Sequence, residues 1–163
     1  LEGWVAKHQN DKLATKVLAE VQHRSGNYVA ARQTYNKVIK NDPTDASSLN
    51  NFASLLMQLK DGEAQAMAER AVKLAPEHPA YLDTLGWILV SKGQVDSGLR
   101  YLREARLRDP ENADIRLHLS YALSKNGRTQ ESREELLAIA NTKNSAATLQ
   151  SELFRRLKHE LGI

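Results

Sequence analysis

Residues 79–112 read PAYLDTLGWILVSKGQVDSGLRYLREARLRDPEN. Apolar residues recur there at i, i+3, i+4, the spacing of a helix face, in two stretches separated by a turn at Gly93. Asp109-Pro110 ends the second stretch, because proline cannot continue a helix and the residue before it is pushed out of the helical region. The same organisation recurs along the chain. Pro43, Pro76 and Pro110 stand at steps of 33 and 34 residues. A period near 34 predicts a stacked helical solenoid, since one helix pair cannot bury its apolar face alone.

Aligned on this period, the units are 12–45, 46–78, 79–112 and 113–146. Each first half carries an apolar residue followed by a small one: Leu18-Ala19, Phe52-Ala53, Leu85-Gly86 and Leu119-Ser120. Each second half has a small residue where two helices must approach closely: Ala31, Ala64, Gly98 and Ser132. Tyr35, Ala68, Leu102 and Leu136 follow four residues later, and Val38, Ala71, Ala105 and Ile139 three beyond those. Gly26, Gly93 and Gly127 mark the turn inside the pair, where a helix end calls for a left-handed residue. The second unit turns through Lys60-Asp61-Gly62 with one residue fewer. Thr15 and Gln22 stand at positions that are apolar elsewhere, and Asn144 replaces the closing proline of the fourth unit.

This pattern resembles the tetratricopeptide repeat (TPR), a helix–turn–helix of 34 residues, over about nine tenths of the chain. The resemblance implies an all-α fold: a right-handed TPR superhelix of antiparallel helix pairs. First helices are expected near 12–25, 46–59, 79–92 and 113–126, and second helices near 28–41, 63–74, 95–108 and 129–140. Leu149, Leu153, Phe154, Leu157 and Leu161 predict one further amphipathic helix within 147–163, read as a C-terminal cap at a natural end. Residues 1–11 read as the remnant of a preceding repeat, with Trp4 at the small-residue position, so the chain is expected to be cut from a longer solenoid.

Composition excludes several classes of function. With 41% hydrophobic and 26% charged residues the chain reads as globular, and no apolar run approaches the ~18 residues of a membrane span. Net charge is only +3, with a pI of 9.2. Arg100, Arg103, Arg106 and Arg108, then Arg155, Arg156 and Lys158, are interspersed with acids and read as solvated helix faces. Nucleic-acid binding calls for a denser stripe with stacking aromatics. There is no cysteine, hence no disulfide scaffold or thiolate zinc site. His8, His23, His78, His118 and His159 are scattered without metal-ligand spacing, and His118 reads as a polar surface residue. No phosphate loop, nucleophile elbow or HExxH occurs. The expectation is therefore no enzyme, no metal and no cofactor.

The TPR resemblance implies that first helices line a concave surface through unit positions two, five, nine, twelve and thirteen. The candidate partner-binding residues are Lys16, Glu20 and His23 in the first unit and Asn50, Ser54 and Met57 in the second. They are Asp83, Trp87 and Val90 in the third, and Leu117, Tyr121 and Lys125 in the fourth. The N-terminal half is polar; Trp87, Val90, Leu117 and Tyr121 form an apolar patch suited to a side chain of a partner segment. The alternative is that Trp87 and Tyr121 pack between neighbouring first helices or under the cap. A chaperone-tail carboxylate clamp is disfavoured: its positions hold Lys16, Glu20, Asn51, Ala80 and Thr84, of which only Lys16 and Asn51 match. Glu20 repels a carboxylate.

The stretches 48–53, 71–76, 79–87 and 118–123 further resemble the last repeats of the bacterial PEP-CTERM-system TPR-repeat lipoproteins. That resemblance implies a lipid-anchored parent on the periplasmic side of the cell envelope, associated with exopolysaccharide and protein-sorting systems; without it, the cytoplasm is the expected place. Two functions stay open. One is a protein-interaction scaffold that binds a protein or peptide segment. The other is a self-associating structural spacer whose copies join end to end through Leu1, Trp4 and Val5.

Overall fold

The computed structural model describes residues 1–8, 11–142 and 145–163, and among these every regular element is a helix. In chain order they are α1 (Glu2–Lys7), α2 (Lys12–Arg24), α3 (Tyr28–Asn41), α4 (Ala46–Gln58), α5 (Ala64–Leu74) and α6 (Pro79–Ser91). Then come α7 (Val95–Arg108), α8 (Ala113–Lys125), α9 (Thr129–Ala138), a short 3-10 turn (Ile139–Asn141), α10 (Ala146–Gln150) and α11 (Glu152–Glu160). Successive helices pair as α2 with α3, α4 with α5, α6 with α7 and α8 with α9. The chain divides into two compact units, Leu1–Ala75 and Pro76–Ile163.

The local chemistry of starts and stops recurs from pair to pair with small variations. Asp11 accepts from the Ala14 N–H, Asp45 from Ser48, and Asn112 from both Asp114 and Ile115, so a side chain satisfies the free donors of α2, α4 and α8. Helix α6 instead opens with Pro79 in its first turn. The turns inside the pairs close with one repeated hydrogen bond: Asn27 N–H to Gln22, Asp61 to Leu56, Gln94 to Leu89 and Arg128 to Leu123, at 2.8–2.9 Å. That 6→1 bond requires a left-handed residue just before its donor. Gly26, Gly93 and Gly127 supply it with φ of 78°, 80° and 78°. In the shortened second turn Lys60, not Gly62, takes it, with φ 55°.

In the first unit the small residues Ala19, Ala31, Ala53 and Ala64 are buried at the helix crossings. Tyr35 and Phe52 stack beside them with ring centroids 5.6 Å apart. Thr15 and Gln22 are buried as well, and both are satisfied. Thr15 Oγ1 donates to the Asp11 carbonyl at 2.8 Å. Gln22 accepts from Thr34 Oγ1 at 2.7 Å and donates to Glu2 at 3.1 Å. A buried polar side chain with both ends paired escapes most of the 1–3 kcal/mol that an orphan costs. The bond to Glu2 also ties α1 to α2.

In the second unit the crossings are tighter. A Cβ at Gly98 would stand 2.5 Å from Val90 Cγ2 and 2.7 Å from the Gly86 carbonyl oxygen. One at Gly86 would stand 2.8 Å from Leu102 Cγ. Helices α6 and α7 thus meet backbone to backbone. At the matching crossing of α8 and α9, Ser120 and Ser132 donate reciprocally, each hydroxyl to the other's carbonyl at 2.7 Å. Two buried clusters complete the unit. Val90, Leu99, Leu102, Leu119, Ala122 and Leu123 form one. Ala113, Leu117, Leu136, Ile139, Leu157 and Leu161 form the other, with Leu149, Leu153 and Phe154 packed against it.

The single C-terminal helix expected over 147–163 is in fact two. Ser151 is extended (φ −65°, ψ 148°), and its side chain caps α11 by accepting from the Phe154 N–H. Breaking at a serine N-cap lets α10 and α11 each follow α8 separately. Thr148 on α10 donates to Asp114 at 2.6 Å, while Leu157 and Leu161 on α11 bury beside Leu117. Asn144 and residues 9 and 10 of the expected N-terminal remnant lie outside the described residues.

Candidate functional site

On the first unit, α2 and α4 share a polar face. Lys16 Nζ lies 2.9 Å from Asp45, Asn51 Nδ2 donates to Glu20 at 3.2 Å, and His23 Nε2 stands 3.3 Å from Gln58 Oε1. The Glu20 and His23 contacts run from one repeat to the next, and Lys16 holds the residue that caps α4. Lys16, Glu20 and His23 are half-buried and engaged rather than free for a partner. Burial works against ionised Asp45, but the bonds from Lys16 and Ser48 outweigh it and hold its carboxyl below the usual range. Ser54 and Met57 are half-buried. Asn50 is buried, its Oδ1 without a hydrogen-bond partner, so this candidate belongs to the interior more than to the surface.

On the second unit, Trp87 from α6 stacks on His118 from α8, with ring centroids 4.3 Å apart and planes at 15°. Tyr121, one turn along α8, meets Trp87 edge-on at 5.2 Å and 70°. Offset and edge contacts of this kind each add about 0.5–1.5 kcal/mol beyond area burial. His118 Nδ1 donates to both Asp83 oxygens, at 2.9 and 3.0 Å. Burial disfavours the imidazolium, but the charge and hydrogen bond of Asp83, with Asp114 further off, outweigh it and raise the His118 pKa above its ordinary value. Lys125 Nζ stands 5.2 Å, and the Arg156 guanidinium of α11 5.7 Å, from the Tyr121 ring centre. Trp87 and Tyr121 remain half-buried, so each contributes both to packing and to the surface.

Two further candidates leave the surface set. Val90, 5% exposed, fills the crossing against Gly98. Leu117, 4% exposed, is covered by Leu157 and Leu161 of α11. The apolar patch is therefore Trp87 and Tyr121 with His118 beneath, not four apolar residues. Sequence reasoning missed His118 and Arg156. The signal for His118 was its unit position: Asn51, sixth in its unit, reaches back to Glu20, and His118, sixth in its own, reaches back to Asp83 and Trp87. Arg156 had no such signal, because the path of the broken C-terminal segment does not follow the repeat.

The arginine-rich stretches are engaged too. Arg103 pairs with Glu131, Arg106 with Glu135, and Arg108 with Glu77 and Glu104. Arg116, 10% exposed at its side chain, joins Glu135 at 2.6 Å and donates to the Pro110 carbonyl. A cleft of about 730 Å³ opens in the first unit among Val5, Leu18, Gln22, Gln33, Thr34 and Lys37. No helix among the described residues is long and apolar enough to cross a membrane.

Models described as Tetratricopeptide repeat match residues 3–46 and 89–153. The TPR repeat-containing protein PA4667 of Pseudomonas aeruginosa is 37% identical over 84 residues, which are 50% of this chain and 14% of that protein. The Cellulose synthase 2 operon protein C of Komagataeibacter xylinus is 27% identical over 132 residues, 79% of this chain and 10% of that protein. The chain thus spans a small fraction of the length of these relatives. Among solved structures, pilF of Pseudomonas aeruginosa superposes with a TM-score of 0.78 at 19% identity, covering 97% of this chain and 70% of that one. The recurrent 6→1 turns, the small-residue crossings and these matches agree that this is a chain of tetratricopeptide repeats.

Proposed function

We propose that the chain is a non-enzymatic protein-interaction scaffold that holds a partner segment on the first-helix face. The observation that carries this reading is Trp87, half-buried on α6 with its ring backed by His118 and Tyr121. A rigid, partly open indole is a low-entropy anchor for an apolar side chain. Ser54, Met57 and Lys125 are the remaining candidates with surface to offer; Lys16, Glu20, His23 and Asp83 act mainly by holding repeats together.

The parent protein is placed by this proposal in a bacterial envelope system for exopolysaccharide and protein sorting, as a lipid-anchored protein like the PEP-CTERM-system TPR lipoproteins. Similarity to the cellulose synthase operon protein C sequences supports a polysaccharide-related setting.

The test is capture from an envelope extract by the parent chain and by a Trp87→Ala/Tyr121→Ala variant of matched stability. A protein retained only by the parent supports the scaffold reading; equal capture by both refutes this site.

A specific observation also favours self-association. Leu1 and Trp4 are 54% and 53% exposed, Val5 is half-buried, and Leu13, Val17 and Val21 of α2 are exposed nearby in sequence. On this second reading, the mass measured by sedimentation rises with concentration and the rise disappears in Trp4→Glu.

A further inference from the structure

We infer that the segment held at Trp87 and Tyr121 carries a carboxylate beside its apolar side chain, and that α11 is a wall of this site as well as a cover for the core. The inference rests on the scaffold reading and names the chemistry of its partner. Two cations border the Tyr121 ring, Lys125 Nζ at 5.2 Å and Arg156 at 5.7 Å. Lys125 has no ion pair among the described residues, and Arg156 has only Glu160 of its own helix, at 3.6 Å with both side chains largely in solvent. The acids of the patch are already engaged, Asp83 by His118 and Asp114 by Thr148. The other arginines of this unit that lie near acids are engaged too: Arg103, Arg106, Arg108 and Arg116 across helices or to backbone, and Arg128 by Glu131. The face therefore presents an aromatic step bordered by an unpaired ammonium and by a guanidinium held only by Glu160. A bound carboxylate there meets that ammonium and a guanidinium fork whose existing pair is solvent-exposed and weak. These cations come from the end of α8 and from the segment that follows the Ser151 break, so the arrangement differs from a clamp built on successive first helices.

The probe is a displayed library of random 12-residue peptides, panned against the parent chain. Retention is then compared on Trp87→Ala and on Lys125→Gln/Arg156→Gln. Both cationic side chains are exposed, so their replacement leaves the fold intact. The expected result is enrichment of Asp or Glu next to an aromatic or aliphatic residue. Synthesised winners should lose affinity about five- to tenfold in the Lys125→Gln/Arg156→Gln variant, and binding should weaken as salt is raised. Peptides that depend on Trp87 but show no acidic enrichment, or bind the cation-free variant equally, overturn the inference and leave the scaffold reading standing. If no selected peptide depends on Trp87, both fall together.

Discussion

Replacing Gly98 with alanine tests the close approach of α6 and α7. In a free helix the change is favourable by about 0.8–1 kcal/mol, because glycine loses more backbone freedom on folding. Here the new Cβ would stand 2.5 Å from Val90 Cγ2 and 2.7 Å from the Gly86 carbonyl oxygen. Val90 is 5% exposed and has no open space to rotate into, and the carbonyl belongs to the backbone of α6. Relief therefore requires α6 and α7 to separate by several tenths of an ångström along their whole crossing. Overpacking of this kind costs about 1–3 kcal/mol, and the upper part of that range applies when backbone must move. Subtracting the helix gain leaves a net loss of about 1–2 kcal/mol, or about 2–8 °C in the melting temperature of a domain this size. Thermal and urea unfolding followed by circular dichroism measure it. Amide exchange assigns the loss to α6 and α7, since repeat stacks need not unfold in one step. The matching Ala31→Gly change, at a crossing that already holds alanine, should destabilise by about 1 kcal/mol or more, through helix propensity and the loss of a buried methyl. A Gly98→Ala protein as stable as the parent, or more so, would falsify the backbone-to-backbone crossing.

Three further outcomes follow from the same geometry. Lys60→Gly should stabilise the first unit by about 0.5–1 kcal/mol in urea unfolding, because a left-handed lysine costs roughly 1–2 kcal/mol and glycine returns part of that as entropy; no gain means that the turn does not hold φ 55° in solution. Ser120→Ala or Ser132→Ala alone should each cost about 1–2 kcal/mol by stranding a buried partner, whereas the double change should cost much less than their sum, since the Ala19 and Ala31 crossing works without hydroxyls; strict additivity contradicts the reciprocal clasp. His118 has a folded pKa above its unfolded value near 6.5. Its contact with Asp83 therefore contributes in full below that pH and is lost as pH rises through the folded pKa. In a Trp4→Phe background, where Trp87 is the reporter, indole emission should titrate at a pH above 6.5 and stop doing so in Asp83→Asn; an unchanged titration in that variant removes Asp83 as the cause.

Most of the fold was legible because the repeat states it four times. The first and second helices fall within a residue or two of the positions read from Pro43, Pro76, Pro110 and the turn glycines, and Asp11, Asp45 and Asn112 cap where acid or amide side chains precede apolar runs. The end of the chain was not legible in the same way. Apolar spacing from Leu149 to Leu161 fits one helix or two, and only the capping bond of Ser151 decides between them. The site was half legible. The periodic frame brings Trp87 and Tyr121 together, and their rings do meet, but it could not say that Val90 would be drawn under α7 or Leu117 under α11. Burial depends on how near the next helix comes, and that distance is set by glycine at position 98 and by the C-terminal segment.

The contacts Glu20–Asn51 and Asp83–His118 each join the front of one repeat to the front of the next. A repeat cut from this chain at its proline loops and grafted elsewhere would carry one half of each pair and leave the other behind. The natural block for recombination or design is therefore larger than the 34-residue motif. Asp83 and His118 stand 35 positions apart, so donor and acceptor travel together only when two neighbouring repeats move as one. Any lineage that diversifies its recognition face by shuffling repeats must change these residues two at a time.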